Sequence, residues 1–377
     1  MKIIIAPDSF KESLSAIEAA NAIASGVKLA CPDADIHCIP MADGGEGTVL
    51  AIAQNTHSEL IQSRITNALD SPVQAQWALI KDSQTAVIEM ASAAGLEQIS
   101  PAERDIFHAS TYGVGLLILE ALNHNVRHII LGLGGSATND GGAGMAAALG
   151  VRFLNKNRQE LAPNPAGLLH LDSIDLSGLD KRLAHITFTL ASDVGNPLCG
   201  NNGASAIFGP QKGASAEQVK LLDKTLGHYA AHVSATLGKN YSHEPGSGAA
   251  GGLGFGAMAF LQAQFRSGVE IVSEFTGLAQ LMQNATLVFT GEGKFDAQTL
   301  QGKTLAGIAS LAQKHQVPVI VIAGALGDNY QALYSKGITA AFSLSNGPMT
   351  LQDSMANTAQ LLSDRSQDIM RTFLAKR

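Results

Sequence analysis

The chain has 377 residues, 46% hydrophobic and 15% charged, which suits about two domains with ample core. Its net charge is -7 (Lys+Arg 25, Asp+Glu 32), it has no basic tract, and aromatics are 5%; these features disfavour a nucleic acid or an anionic membrane as partner. Cys31, Cys38 and Cys199 form no CxxC pair, which excludes a disulfide scaffold and a cysteine-type zinc site and suits a reducing cytoplasm, the expected location.

In chain order, Lys2–Ala6 is β-branched and reads as a buried strand. Its apolar stretch is too short for a signal peptide. Ser15-Ala-Ile-Glu18 is a capping box, and Ile17, Ala20, Ile23 and Val27 recur at helical spacing. Asp35–Pro40 reads as a second strand, followed by a glycine loop and a helix from about Thr48. Segments 60–66, 73–80 and 84–90 are short and separated by turn signals, which predicts an antiparallel meander. Arg127–Leu131, Val151–Leu154 and His185–Leu190 are further strands, and Ser215 with Gln218 caps a helix. The far end returns to alternation: strand Ala285–Thr290, helix Lys303–Gln316, then strands Val317–Ala323 and Thr339–Leu344. The strongest apolar run, Val317–Leu326, is broken by Pro318 and Gly324 and is about half a membrane span.

The pattern predicts an α/β protein of two domains. A Rossmann-like parallel-sheet domain is formed by both chain ends, 1–66 plus 279–377, and a mixed α/β domain, 67–278, is inserted into it. The active site is expected in the cleft between them, because ligands of open parallel sheets sit at the carboxyl ends of the strands.

The chemistry is sought in the glycine clusters, since the chain carries 39 glycines. Pro7-Asp8-Ser9-Phe10-Lys11 follows the first strand, Asp43-Gly-Gly-Glu46-Gly-Thr48 the second, and Gly291-Glu292-Gly293-Lys294-Phe295-Asp296 the strand ending near Thr290. Carboxylates beside glycines suit a hard cation close to backbone. Gly132–Gly144 joins a strand to an Ala-rich helix and offers N–H groups to phosphate or carboxylate. Residues 132–137 match G-x-G-x-x-A, but the next strand ends in Asn155 and Lys156 where a dinucleotide fold needs an acid. Gly302-Lys303-Thr304 resembles the end of a P-loop but has Ala297 at the required glycine. Gly246–Gly256 holds six glycines in eleven residues and reads as a hinge, an anion nest or close helix packing. His228 and His232 stand one turn apart without a third ligand, as a solvated or packed pair. Anion-cradling loops in an acidic chain require a shared cation, and together they suggest Mg²⁺-assisted phosphoryl transfer from a nucleotide.

Ala6–Lys11, Pro40–Thr48, Gly134-Gly-Ser-Ala-Thr-Asn-Asp140, Asp193-Val-Gly-Asn-Pro-Leu198, Gln211-Lys-Gly213 and Gly291-Glu-Gly293 resemble, in order, the type-1 glycerate kinase family of bacteria. The resemblance covers essentially the whole chain. It implies ATP-dependent phosphorylation of D-glycerate, chiefly at the 2-hydroxyl, in glyoxylate and sugar-diacid catabolism. ATP and Mg²⁺ are then the expected cofactors and D-glycerate the small-molecule partner; a homodimer is left open.

Within that reading, Asp193 is the first candidate for the base and Asp8 the second, with Lys11 neutralising charge. Ser9, Gly134, Gly135, Ser136, Asn139, Asp140, Asn196, Lys212 and Lys303 are candidates for substrate or phosphate. Asp43, Glu46, Glu292 and Asp296 are candidates for the metal. The rivals are a kinase of another small hydroxy acid such as tartronate, and a non-catalytic two-domain binder of a sugar acid.

Overall fold

Thirteen strands and the helices between them are resolved in a computed structural model that describes residues 1–42, 45, 47–296 and 303–375, without the side chain of Lys303. The chain divides into two units. The first comprises 1–43, 50–56 and 268–377, and the second comprises 44–49 and 57–267.

In the first unit, β1 (Lys2–Ile5), β2 (Asp35–Cys38), β11 (Leu287–Phe295), β12 (Val319–Leu326) and β13 (Ala340–Ser343) form one sheet. Its order is β13-β12-β11-β1-β2 and every pairing is parallel. The β-branched run Ile3–Ile5 is fully buried, as a parallel strand covered on both faces should be. Helix Ala16–Ala30 starts where its capping box places it: Ser15 Oγ accepts from Glu18 N at 3.2 Å, and Glu18 Oε2 accepts from Ser15 N at 2.9 Å. That helix packs on helix Thr358–Leu374, where Ser366 Oγ donates to Ile23 O at 3.1 Å. A Cβ on Gly26 would fall 2.0 Å from Ser363 O, so only glycine allows this approach.

In the second unit, β3 (Ser58–Thr66), β4 (Pro72–Ile80), β5 (Thr85–Glu89), β6 (His128–Gly132), β9 (Thr187–Ala191) and β10 (Gln264–Arg266) form a mixed sheet. Its order is β10-β9-β6-β5-β4-β3. The meander β3-β4-β5 is antiparallel, whereas β5, β6, β9 and β10 run parallel. β3 pairs with β4 along its whole length, so a boundary after residue 66 falls at the far end of a strand of this unit. β7 (Arg152–Leu154) and β8 (Ser173–Asp175) form a separate two-stranded ribbon. Trp77 is fully buried in the main core and donates Nε1–H to Ser63 Oγ at 2.9 Å.

The loop expected to begin at Gly291 is mostly strand, and the strand expected to end at Ala323 runs on to Leu326. β11 runs through Gly291-Glu-Gly-Lys-Phe295, and β12 through Gly324-Ala-Leu326, with Glu292 opposite Ala323 and Phe295 opposite Leu326. The glycines that read as turn signals serve close pairing here. A Cβ on Gly291 would lie 2.2 Å from Ile322 O, and one on Gly324 2.5 Å from Gly293 O.

Candidate active site

The first unit's connections diverge at its centre: the chain leaves β1 toward β2 and leaves β11 toward β12. Such a switch point is where open α/β sheets bind ligands. β11 overshoots β1, and the loop after β1 lies along the overshoot. Asp8 N donates to Gly291 O at 2.8 Å, and Ser9 N donates to Asp8 Oδ1 at 2.6 Å. Asp8, Ser9 and Glu292 are half-buried, and Lys11 is exposed. Lys11 N lies 3.8 Å from where a Cβ on Gly293 would be. Asp8 and Glu292 thus share the carboxyl edge of adjacent strands. Asp296 is engaged by Lys294, with Nζ 2.8 Å from Oδ2. That neighbour holds the Lys294 ammonium above its ordinary range. Asp43 and Glu46 lie outside the described residues, as does the side chain of Lys303, whose backbone opens helix Lys303–Lys314. Among the described residues, no group of three or more His, Cys, Asp or Glu side chains is arranged to hold a metal ion.

In the second unit the carboxyl ends of β5, β6, β9 and β10 share one edge. Leu133–Asp140 follows β6 there, and Ser192–Leu198 follows β9. Gly134 packs on Gly45, and a Cβ on it would lie 2.3 Å from Gly45 Cα. Among the described residues, the N–H groups of Gly134, Gly135 and Ser136 meet no acceptor. Gly134 is half-buried, Gly135 is exposed and Ser136 is buried at 8% exposure. Their neighbours are anchored: Ala137 N donates to Ala94 O at 2.9 Å, and Leu96 N to Gly135 O at 2.8 Å.

Asn139 and Asp140 are interior residues of this loop, both 0% exposed. Asn139 Nδ2 donates to Ser205 Oγ at 2.9 Å. Asp140 Oδ2 accepts from Thr111 N (2.7 Å), Thr111 Oγ1 (2.8 Å) and Gly144 N (3.0 Å), and Oδ1 accepts from Gly142 N (3.0 Å). Burial pushes the Asp140 carboxyl up, and these four donated bonds oppose the shift. Lys212, 2% exposed, donates from Nζ to Ser136 Oγ and to Thr138 O, each at 2.7 Å. Desolvation lowers its pKa to about 7, against the attraction of Asp140. Both carboxylate oxygens of Asp193 are withdrawn from solvent. Asn196, in the same loop, donates Nδ2 to Asn202 O at 2.8 Å and accepts Gly248 N at its carbonyl at 2.9 Å.

The Gly246–Gly256 stretch is a packing device. Gly251, at φ +66°, presses on the Thr138 carbonyl, and a Cβ there would sit 1.8 Å from that oxygen. Gly141 N donates to Gly251 O at 3.0 Å. The imidazoles of His228 and His232 pack edge to face at 4.6 Å, and His228 Nε2 bonds Leu171 O at 2.8 Å. Two residues that no motif marked also support this edge. Thr111 supplies two of Asp140's donors, and Glu89, at the end of β5, accepts Val49 N at 2.7 Å. Only the acid closing the apolar run Ala86-Val-Ile-Glu89 hinted at the second.

Fold and loops define the class: an α/β protein with glycine-rich loops at the carboxyl ends of parallel strands, where acids and amide donors gather. The chain matches the model of the Glycerate kinase family over residues 3–374. It is 46% identical over 377 residues to the "Glycerate kinase" of Bacillus subtilis (strain 168), covering 100% of this chain and 99% of that one. It is 45% identical over 373 residues to the "Glycerate 2-kinase" of Escherichia coli (strain K12), covering 99% and 98%. A crystal structure from Salmonella typhimurium LT2, provisionally assigned as glycerate kinase 2, superposes with a TM-score of 0.86 at 44% identity, covering 100% of this chain and 99% of that one. The chain belongs to the glycerate kinase family, a family of phosphotransferases. No described helix is long and apolar enough to cross a membrane.

Proposed function

We propose that this protein transfers the γ-phosphoryl group of ATP to the 2-hydroxyl of D-glycerate, giving 2-phospho-D-glycerate and ADP. The observation that carries the reading is the 45% identity, over 99% of the chain, to a relative named for 2-phosphorylation.

The residues can be given roles within that reaction. Gly134, Gly135 and Ser136 offer N–H groups to an anionic group of substrate. Asp193 accepts the proton of the 2-hydroxyl as its oxygen attacks phosphorus, and the bond from phosphorus to the ADP oxygen breaks. Lys11, exposed beside Gly293, balances phosphate charge. The donor set fits Mg²⁺, which takes oxygen ligands and commonly only one or two carboxylates besides phosphate and water. Asp8 and Glu292 would hold the ion in the first unit. When bound, it would neutralise charge on the transferred group.

The test is ADP release from MgATP with D-glycerate, beside L-glycerate and a no-acceptor blank, with the product identified by phosphorus NMR. Acceptor-dependent ADP with 2-phosphoglycerate is expected. The 3-phospho product would overturn the regiochemistry alone, and no acceptor-dependent turnover would overturn the reading.

A further inference from the structure

We propose that Lys212 is a positioning residue: it shapes the Gly134–Asp140 loop and orients the Ser136 hydroxyl as a donor, without touching substrate. The proposal rests on reading that loop as the anion-binding element of a glycerate kinase.

The geometry starts from the Lys212 amino group. Its residue is 2% exposed, and two of its donors go to Ser136 Oγ and Thr138 O, both at 2.7 Å. Those acceptors flank Ala137, whose N–H is held from elsewhere by Ala94 O. The loop is thereby pinned at three consecutive residues. Without the pin, Gly134 and Gly135 would leave this backbone many conformations, and an anion would have to order them on binding.

The direction of the bond adds a second effect. Ser136 Oγ accepts from Lys212, and a hydroxyl that accepts keeps its own O–H to donate. That hydroxyl belongs to a residue whose own N–H, like those of Gly134 and Gly135 before it, meets no acceptor among the described residues. The lysine itself is held in place from its own side. Arg104 Nη1 donates to Gln211 O at 3.1 Å, and Lys212 N donates to Gly209 O at 3.0 Å. A buried lysine head group is costly, and here, as amine or ammonium, it does what an apolar side chain of the same size cannot: its N–H donors bridge a hydroxyl and a carbonyl two residues apart.

The test is a double-mutant cycle of Lys212→Met and Ser136→Ala, read as kcat/KM for D-glycerate at saturating MgATP. It is paired with amide hydrogen exchange on peptides covering residues 133–142. Each single variant is expected to lose about ten- to a hundredfold, the span of one charge-assisted hydrogen bond. The double variant should fall no more than about threefold below the worse single, because both changes break one interaction. Exchange over 133–142 should accelerate in Lys212→Met. Additive losses in the cycle, or exchange unchanged over 133–142, would overturn the proposal. If Lys212→Met does not fold, Lys212→Arg takes its place, keeping the charge and changing the reach to both acceptors. If the wild-type protein does not phosphorylate glycerate, the functional reading fails and the exchange comparison still decides the role of Lys212.

Discussion

Asp140 and Thr111 are joined twice, the carboxylate oxygen Oδ2 accepting from both the backbone N–H and the hydroxyl of the threonine, at 2.7 and 2.8 Å. Both residues are fully buried. Thr111→Val keeps the shape and removes one donor, with an expected cost of about 1–3 kcal/mol. Asp140→Ala strands every donor and removes the negative charge nearest Lys212, so about 3–5 kcal/mol is expected. Urea unfolding of the two variants measures the difference. Equal midpoints for Asp140→Ala and wild type would contradict the cage.

Lys212 gives stability a pH dependence of definite sign. Its pKa falls from 10.5 to about 7 on folding, through desolvation, with Asp140 the nearby charge opposing it. Between those values the unfolded chain binds a proton that the folded chain does not. Stability therefore rises with pH across that window, by on the order of a few kcal/mol. Lys212→Met should flatten the rise, read as unfolding free energy at pH 7, 8.5 and 10.

Cys199 should be inert in the folded protein. Burial, with Asp223 beside it, pushes its thiol up to about 12, so the reactive thiolate is scarce at neutral pH. Iodoacetamide at pH 8 is expected to spare Cys199 in buffer and to label it in denaturant, as read by peptide mass spectrometry. Rapid native labelling would contradict this.

Gly251→Ala should be severe, since the site combines a left-handed backbone with a Cβ position 1.8 Å from the Thr138 carbonyl. More than about 3 kcal/mol is expected. Gly347→Ala, where nothing lies within 4 Å, should stay within about 0.5 kcal/mol of wild type. Thermal melts of the pair provide the comparison.

Asp193→Asn tests the proposed base. A loss of about 10²–10⁴ in kcat is expected, with the KM of MgATP little changed. A loss below about tenfold would remove Asp193 from that role.

Local chemistry made much of the first unit legible. The Ser15–Glu18 box set the helix start, and the β-branched run Ile3–Ile5 announced a buried parallel strand. The meander was readable because its turns carry Asp70-Ser-Pro72 and Lys81-Asp-Ser83. What misled was glycine, which marks a turn and a tight strand pairing alike. Gly291, Gly293 and Gly324 belong to paired strands because of what lies across from them, and a single segment does not report its partner. The site divides the same way. The residues of the Gly134–Asp140 loop stand out by composition, yet Asp140 and Asn139 face inward, and only tertiary partners such as Thr111 and Ser205 decide that. Lys212 was visible as a lysine in a glycine turn; that its amino group is spent on Ser136 and Thr138 depends on a contact spanning more than seventy residues.

The pairing of β1 with β11 orders events during synthesis. Thr290 and Ala6, which are hydrogen-bonded across those strands, are separated by 284 positions in the chain. At typical translation speeds the first strand waits on the order of tens of seconds for the neighbour that completes the middle of its sheet. The second unit's sheet, drawn from 58–266, is available earlier. The strand Lys2–Ile5 is thus made long before its β11 neighbour, although β2 can pair with its other side early. A ribosome stalled before residue 287 would display the β11 side of that strand as an open sheet edge, the kind of surface that chaperones and stray strands both recognise.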